Sequence, residues 1–431
     1  MSFRNCILSI SCAIIFLHPV VNAQKLSKDE RRIISIIEKF NRDPTLFLEK
    51  TVNINSGTMN PSGVREVGAI YKTELDALGF QTKWIDMPKE MNRAGHLFAE
   101  RQGKKGKRLL LIGHLDTVFE PDSPFQMFMP QDSIAYGPGT NDMKGGNMIL
   151  LYALKALYQA NVLNDTQIIV ALHGDEENAG DPKSISRKDI VDAAKRSDVA
   201  LAFETSTGFN DATIARRGSS KWQLKVTGKQ AHSSGIFSDE VGAGAIYEAS
   251  RILHQFYTDL QEELLTYSPG LIVGGTTAEM DADNSLGKAF GKSNVVPQEV
   301  LVDSDLRFIS EEQKEKVRNK MREIVKSNLP HTDAEIVFED SYPAMSPTAG
   351  NMRILEMLSQ VSLDLRQGSV KPFDPGKRGA GDISFVAQYL DCLDGLGAMG
   401  GGAHSPNEYV DLRTINDLIK RTAILIYRLT R

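Results

Sequence analysis

Residues 109–117 read LLLIGHLDT, four consecutive apolar residues, a glycine, and then His114 and Asp116 two positions apart. A short apolar run that does not alternate with polar residues reads as a strand covered on both faces. In an extended backbone, positions i and i+2 share a face, so His114 and Asp116 point the same way. Open α/β sheets place their sites outside the carboxyl ends of the strands, which is where this pair falls. The pattern recurs on either side. Strands are expected at 81–85, 168–172 and 199–203, alternating with helices at 147–160 and 186–195. That alternation predicts an α/β unit built on a mostly parallel sheet. Upstream, 26–51 reads as helical, with Ser27 as N-cap and Glu30 three residues later. Residues 63–78 form a second amphipathic helix ended by Gly79.

The pattern changes near Arg217. Residues 219–228 alternate as a half-exposed strand. A helix follows at 243–260, strands at 271–276 and 300–308, a charged amphipathic helix at 311–327 and a last strand at 334–338. The order βαββαβ is that of a split βαβ, ferredoxin-like α+β unit. We therefore expect an inserted domain at 217–340, with the first domain comprising 24–216 and 341–431. Helices at 351–363, 382–389 and 412–430 belong to the return.

The chain has 431 residues, 41% hydrophobic and 24% charged, with a net charge of −5. That is the composition of an ordinary globular protein of more than one domain. Acids and bases are interspersed, without the basic stripe that nucleic-acid binding requires. The short basic run at 101–108 (RQGKKGKR) precedes an apolar strand and reads as a solvated hairpin turn. Residues 1–23 carry one basic residue, Arg4, then an apolar stretch from Cys6 to Leu17, and end on Val21-Asn22-Ala23. This reads as a secretory signal cleaved before Gln24, predicting a periplasmic or secreted protein. The stretch is broken by His18-Pro19 and is short for a spanning helix of about 20 residues. Cleavage would leave Cys392 alone, so no internal disulfide is expected.

Further candidates stand at other strand ends and glycine-rich turns. Asp142 lies in YGPGTNDMKGG at 136–146, where four glycines surround one carboxylate just before a helix. A phosphate loop, and with it a nucleotide-binding enzyme, is disfavoured there by the absence of GxxxxGK(S/T) and by the carboxylate, which would repel phosphate. We expect an unusual backbone, with a cis peptide preceding Asp142. Asp175-Glu176-Glu177 follows the strand IIVALH, and three adjacent acids repel each other unless cations neutralise them or one holds a proton. Glu204 ends the strand VALAF, and His404 lies in GGGAHSP at 400–406. Two histidines and three carboxylates without a thiol suit two divalent cations, with an additional glutamate as general base.

The ordered segments GHLDT, GPGTNDMKGG, DEE, FE, AHSS and AHSPNE resemble the di-zinc metallopeptidase family 20. That family includes glutamate carboxypeptidases, aminoacylases, acetylornithine deacetylases and succinyl-diaminopimelate desuccinylases. The resemblance covers nearly the whole chain beyond residue 23. It implies that Asp142 bridges two zinc ions, with His114 and Glu204 completing one site and Glu177 and His404 the other. It implies Glu176 as general base and Asp116 as the support of His114. The segment GKQAHS at 228–233 resembles the family's GxxAH element, making His232 a residue that reaches a neighbouring active site across a homodimer. Asn294 and Arg307 match positions that hold the substrate carboxylate, and an arginine fork suits such a group. A salt bridge from Arg307 to Asp303 or Asp305 is the alternative. Gly381, in GAGD at 379–382, falls in the family's substrate loop but without the hydroxyl found there. Glu204, where aminopeptidases and dipeptidases of the family tend to have aspartate, resembles the carboxypeptidase and deacylase branch. The expected substrate is a small peptide or N-acyl amino acid, and the inserted domain is expected to act as lid and dimer interface. The metal pair is expected to be zinc, although such donor sets also accept manganese or cobalt. An aminopeptidase or dipeptidase is the alternative activity. A non-catalytic binding protein on the same fold is the remote one, and would have lost ligands or base.

Overall fold

The computed structural model describes residues 25–281 and 285–431. The expected signal stretch 1–23 lies outside the described residues. No helix among the described residues is long and apolar enough to cross a membrane.

The larger sheet has six strands in the order Gln81–Ile85, His96–Arg101, Thr166–His173, Lys105–His114, Val199–Ala202, Asp391–Leu393. The last four run parallel, and the first two form an antiparallel edge. Both faces are covered, as the unbroken apolar runs require. Leu109 and Leu111 enter one core cluster with Leu150, Leu154 and Ile424. Leu110 and Ile112 enter the opposite one with Ile190, Ala200 and Cys392. Cys392 is a buried free thiol.

The second sheet is antiparallel throughout, in the order Thr266–Gly275, Glu299–Phe308, Gly218–Gly228, Thr332–Tyr342. Numbered along the chain, that is 2-3-1-4, the ferredoxin-like order. Alternate residues of its strands (Trp222, Leu224, Val226, Val300, Val302) pack with Ile252 and Phe256 of the helix Ala245–Asp259 and Met321 of Glu311–Lys326. This core is separate from the two that flank the larger sheet. The sheet runs through Tyr342, two residues beyond the expected edge at Asp340.

Several local expectations are corrected. The first helical stretch is two helices, Lys28–Glu38 and Asp43–Val52, because Asn41 takes a left-handed conformation (φ 49°) and Pro44 opens the second. The capping box at Ser27 and Glu30 is present. The helix expected over 186–195 is broken into Lys183–Ser186 and Lys188–Ala194 at Arg187, whose side chain is drawn into a buried ion cluster. Residues 382–389 form only a 3-10 turn at Asp382–Phe385, because the Asp382 carboxylate is engaged with His173 and Arg187. The basic run is not a hairpin turn: its residues Lys105–Arg108 are the exposed start of the strand Lys105–His114, and Thr166–His173 lies between the strands it joins. The strand His96–Arg101 and the hairpin Thr277–Asp281 with Leu286–Phe290 were not anticipated.

Candidate metal centre

Three adjacent parallel strands end side by side and deliver most of the site. His114 is the last residue of the central strand. Glu176 and Glu177 follow the neighbour that ends at His173, in register with His114. Glu204 follows the strand Val199–Ala202 on the other side. Asp142 closes the glycine-rich loop before the helix Lys144–Gln159. His404 arrives from far along the chain on a small antiparallel sheet, in which Tyr409 pairs with Tyr136 and Gly401 with Tyr409.

These residues form two trios sharing one carboxylate, with ligand atoms within 4.8 Å of one another in each. In the first, His114 Nε2 is 3.2 Å from Asp142 Oδ1 and 3.7 Å from Glu204 Oε1. In the second, His404 Nε2 is 3.4 Å from Asp142 Oδ2 and 3.1 Å from Glu177 Oε2. Donors about 2.0–2.2 Å from a tetrahedral ion stand roughly 3.3–3.6 Å apart, so both trios have the span of a coordination shell. The Glu177 Oε1 oxygen is buried without a hydrogen-bond partner, an acceptor left for a cation. The donor set and this orphaned oxygen fit two divalent ions.

The electrostatics show the same need. Burial, together with the charge of Glu204, raises the Glu176 carboxyl well above the ordinary range. Burial and Asp142 push Glu204 up to about 7. Hydrogen bonding to Asp142 and Glu177 pushes His404 up to about 10. Burial opposes ionisation of Asp142, but His114 and His404 outweigh it and hold the carboxyl below its usual value. Carboxylates crowded this way are stable as a group only when positive charge is brought among them.

Asp116 is placed differently from expectation. The N–H at His114 Nδ1 donates to the Asp116 main-chain carbonyl at 3.0 Å, and the carboxylate Oδ1 is farther away at 3.5 Å. The carboxylate instead accepts the backbone N–H of Glu176 (3.0 Å), the N–H of Glu177 (3.1 Å) and the Thr58 hydroxyl (2.7 Å). It therefore fixes the turn that carries both glutamates, and supports His114 chiefly through its own backbone. The cis peptide is the bond after Asp142, to Met143, rather than the one before it.

Glu408 was missed. Its buried carboxylate accepts the N–H groups of Gly139 (3.0 Å), Asn141 (2.8 Å) and Asp142 (2.8 Å). Its signal was its place at the end of the segment AHSPNE, four residues after His404. Asp175, the first of the three acids, is not at the centre. It binds Arg187 Nη1 at 2.6 Å, the Ser186 hydroxyl at 2.6 Å and Gly180 N–H at 2.9 Å. Arg187 also meets Asp382 at 2.7 Å. Removing one member of such a buried ion cluster typically costs about 3–5 kcal/mol. Lys144, beside the glycine loop, is buried and donates to the carbonyls of Thr51 and Ile54, so it has no ammonium to offer a phosphate.

The remaining candidates lie elsewhere. His232 and Asn294 are exposed neighbours in segments joined to the antiparallel sheet, where the Ser233 N–H donates to the Asn294 carbonyl at 2.9 Å. The His232 Nδ1 hydrogen-bonds the Ser234 hydroxyl at 2.8 Å. Arg307 makes the alternative salt bridge, Nε to Asp305 Oδ2 at 2.8 Å, and is half exposed. Within one chain none of the three joins the two trios. Gly381 is buried against Arg216, where a Cβ would stand 2.6 Å from Nη1.

A buried acid-rich centre at the carboxyl ends of parallel strands, with two cation-sized trios sharing one aspartate, defines a metal-dependent hydrolase. Residues 110–428 match the model of peptidase family M20/M25/M40, and the chain belongs to that family. It is 28% identical over 392 residues to carboxypeptidase G2 of Pseudomonas sp. strain RS-16, covering 88% of this chain and 87% of that protein. It is 26% identical over 367 residues to a succinyl-diaminopimelate desuccinylase of Cupriavidus necator, covering 81% and 90%. Its fold is similar to that of aminopeptidase PepT from Bacillus cereus, with a TM-score of 0.70 at 16% identity over 93% of this chain and 99% of that one. The protein is thus a hydrolytic enzyme of the peptidase and amidohydrolase kind.

Proposed function

We propose that this enzyme hydrolyses a peptide or N-acyl amide bond and releases a C-terminal amino acid, as a carboxypeptidase or N-acyl-amino-acid deacylase. The observation that carries the reading is the Asp142 carboxylate, one oxygen facing His114 and the other His404, beside Glu176, which ligates in neither trio. In the proposed assignment, His114 and Glu204 would hold one zinc ion and Glu177 and His404 the other, with Asp142 available to both. Such an ion pair, when bound, polarises a carbonyl and makes a water acidic enough to react near neutral pH.

The chain's own residues do the rest. Glu176 takes the proton of the attacking water and delivers it to the leaving amine. Its raised affinity for protons suits both halves of that exchange. Asp116 holds the Glu176 and Glu177 backbone, so that base and ligand keep a fixed separation. His232, supplied by the second subunit of a homodimer formed through the inserted domain, steadies the developing oxyanion. Its exposure supports that reading, because a histidine serving a neighbouring site must leave its own surface. Asn294, Arg307 and the Gly381 loop bind substrate, with Arg307 exchanging Asp305 for the substrate carboxylate. The N-terminal segment directs export to the periplasm or beyond.

The test is hydrolysis by zinc-loaded protein beginning at Gln24, on a panel pairing N-blocked with free-amine peptides and acyl amino acids. Chelator-sensitive cleavage of blocked substrates that carry a free carboxylate supports the proposal. Cleavage of free-amine substrates alone moves the enzyme to the aminopeptidase activity.

A further inference from the structure

The loop at 376–381 crosses the Glu204 side of the centre and carries an arginine with no role so far. Arg378 lies against the residue that follows Glu204. Its Nη1 donates to the Thr205 hydroxyl at 2.9 Å and its Nη2 to the Thr205 carbonyl at 3.0 Å. Its Nε is buried and makes no hydrogen bond. Among the described residues, no ion pair to a carboxylate forms at Arg378, whereas Arg216 beside it is matched by Asp394 at 2.6 Å. The loop itself is strapped down. Arg216 Nε donates to the Gly379 carbonyl at 2.6 Å and Nη2 to that of Ala380 at 3.0 Å. Gly381 packs so closely on the same guanidinium that a side chain would displace it. Arg378 is therefore a guanidinium held by neutral acceptors, within electrostatic reach of Asp394, Glu204 and Asp142. Burial and the neighbouring Arg216 both act against its charge. Asp394 is engaged by Arg216, and Asp142 and Glu204 stand in the metal trios, so these carboxylates have other partners, and the planar fork of Arg378 is shaped for a further one.

We propose that Arg378 is a specificity-determining residue that binds a carboxylate of the substrate beside the Glu204 half of the centre. The loop in which it sits lacks a hydroxyl at the position before Asp382, and Arg378 supplies a polar contact from the same loop. The proposal rests on the reading of the site as an amide hydrolase. The carboxylate is either the terminal one or an acidic side chain, and the probes separate the two.

The experiment uses the zinc-loaded full mature chain in a Glu176→Gln background, which measures binding without turnover. Calorimetric titration compares N-acetyl-L-glutamate with N-acetyl-L-glutamine, which lacks the side-chain carboxylate, and N-acetyl-L-isoglutamine, which lacks the terminal one. With Arg378 intact, one amide should bind about 10- to 100-fold more weakly than the diacid, and that amide identifies the carboxylate. Arg378→Gln should bring the ratio close to one, and Arg378→Lys should keep part of it, with melting temperatures confirming that both variants fold. The proposal is overturned if all three probes bind alike or not at all. It is equally overturned if Arg378→Gln weakens all three equally, or if the ratio survives Arg378→Gln and collapses in Arg307→Gln. Selective binding, with no hydrolysis of N-acetyl-L-glutamate when Glu176 is restored, would retain Arg378 and remove the proposed reaction. Hydrolysis with an unchanged ratio would do the reverse.

Discussion

Glu408 accepts the backbone N–H of Asp142 at 2.8 Å, so a carboxylate 266 residues away in sequence holds the residue that the two metal trios share. The same side chain takes Gly139 and Asn141, closing the loop as a carboxylate closes a turn of donors. Glu408→Ala leaves three N–H groups, two of them buried, without their acceptor. We expect zinc affinity to fall about 10- to 100-fold, as when other supports of metal ligands are removed. Zinc titration against a chromophoric chelator checks this, and an unchanged affinity would show that the loop holds itself.

Asp116→Asn keeps one acceptor oxygen but turns an N–H₂ toward a backbone N–H of Glu176 or Glu177. Turnover should fall by about 10- to 100-fold, with a parallel loss of zinc affinity, because one carboxylate positions both base and ligand. If zinc binding weakened while turnover of the saturated enzyme stayed normal, Asp116 would serve the ligands alone.

Glu176→Gln should bind zinc as the wild type does and lose about 10²- to 10⁴-fold in kcat, the usual contribution of a positioned proton-transfer group. Metal analysis and steady-state kinetics on the same preparation decide it. Near-normal turnover would place the base elsewhere.

Subunit complementation tests the role of His232. His232→Ala and Glu176→Gln should each be nearly inactive alone. Mixed after dissociation and reassociation, they form hybrids with one intact site and should recover about a quarter of wild-type activity if the enzyme is a two-fold dimer. No recovery, with hybrids shown to form, would confine each active site to one chain.

Stability should depend on pH through the first helix. Burial works against the Glu30 carboxylate, but the Ser27 cap and Arg428 at 2.7 Å outweigh it and lower its pKa below the reference 4.5. A lowered carboxyl stabilises the fold above the unfolded pKa and loses that contribution as pH falls through the folded one. Glu30→Gln should therefore cost about 1–3 kcal/mol at pH 7 and progressively less as the pH falls through the lowered pKa of the folded state, measured by urea denaturation. A loss that did not change with pH would mean that packing, rather than charge, is what the substitution removes.

The two antiparallel and four parallel strands of the larger sheet show where sequence reading works. Runs such as 109–112 and 168–172 are apolar at every position because both faces are buried, and that constraint is local enough to read from the residues. So is the period-two alternation of 219–228, which buries Trp222, Leu224 and Val226 on one face. The strand His96–Arg101 escaped although it is paired on both sides, because its apolar run Leu97-Phe98-Ala99 is only three residues long and is flanked by His96 and Glu100, and Arg187 broke a helix for the sake of ion pairs formed across the fold.

For the site, local order and residue type determined the ligand candidates: His114, Asp142, Glu177, Glu204 and His404 stand at strand ends and glycine turns, where polar groups have a reason to be. Only the tertiary structure decided what those groups face. Glu408 reaches the Asp142 loop, and Arg378 reaches Thr205, through pairings between segments far apart in the chain. The Asp116 carboxylate turned to the Glu176 and Glu177 backbone because those N–H groups, brought alongside by the parallel pairing of neighbouring strands, needed an acceptor. Hydrogen bonds and charges act over a few ångströms in space, and the sequence records that distance only within a single strand or turn.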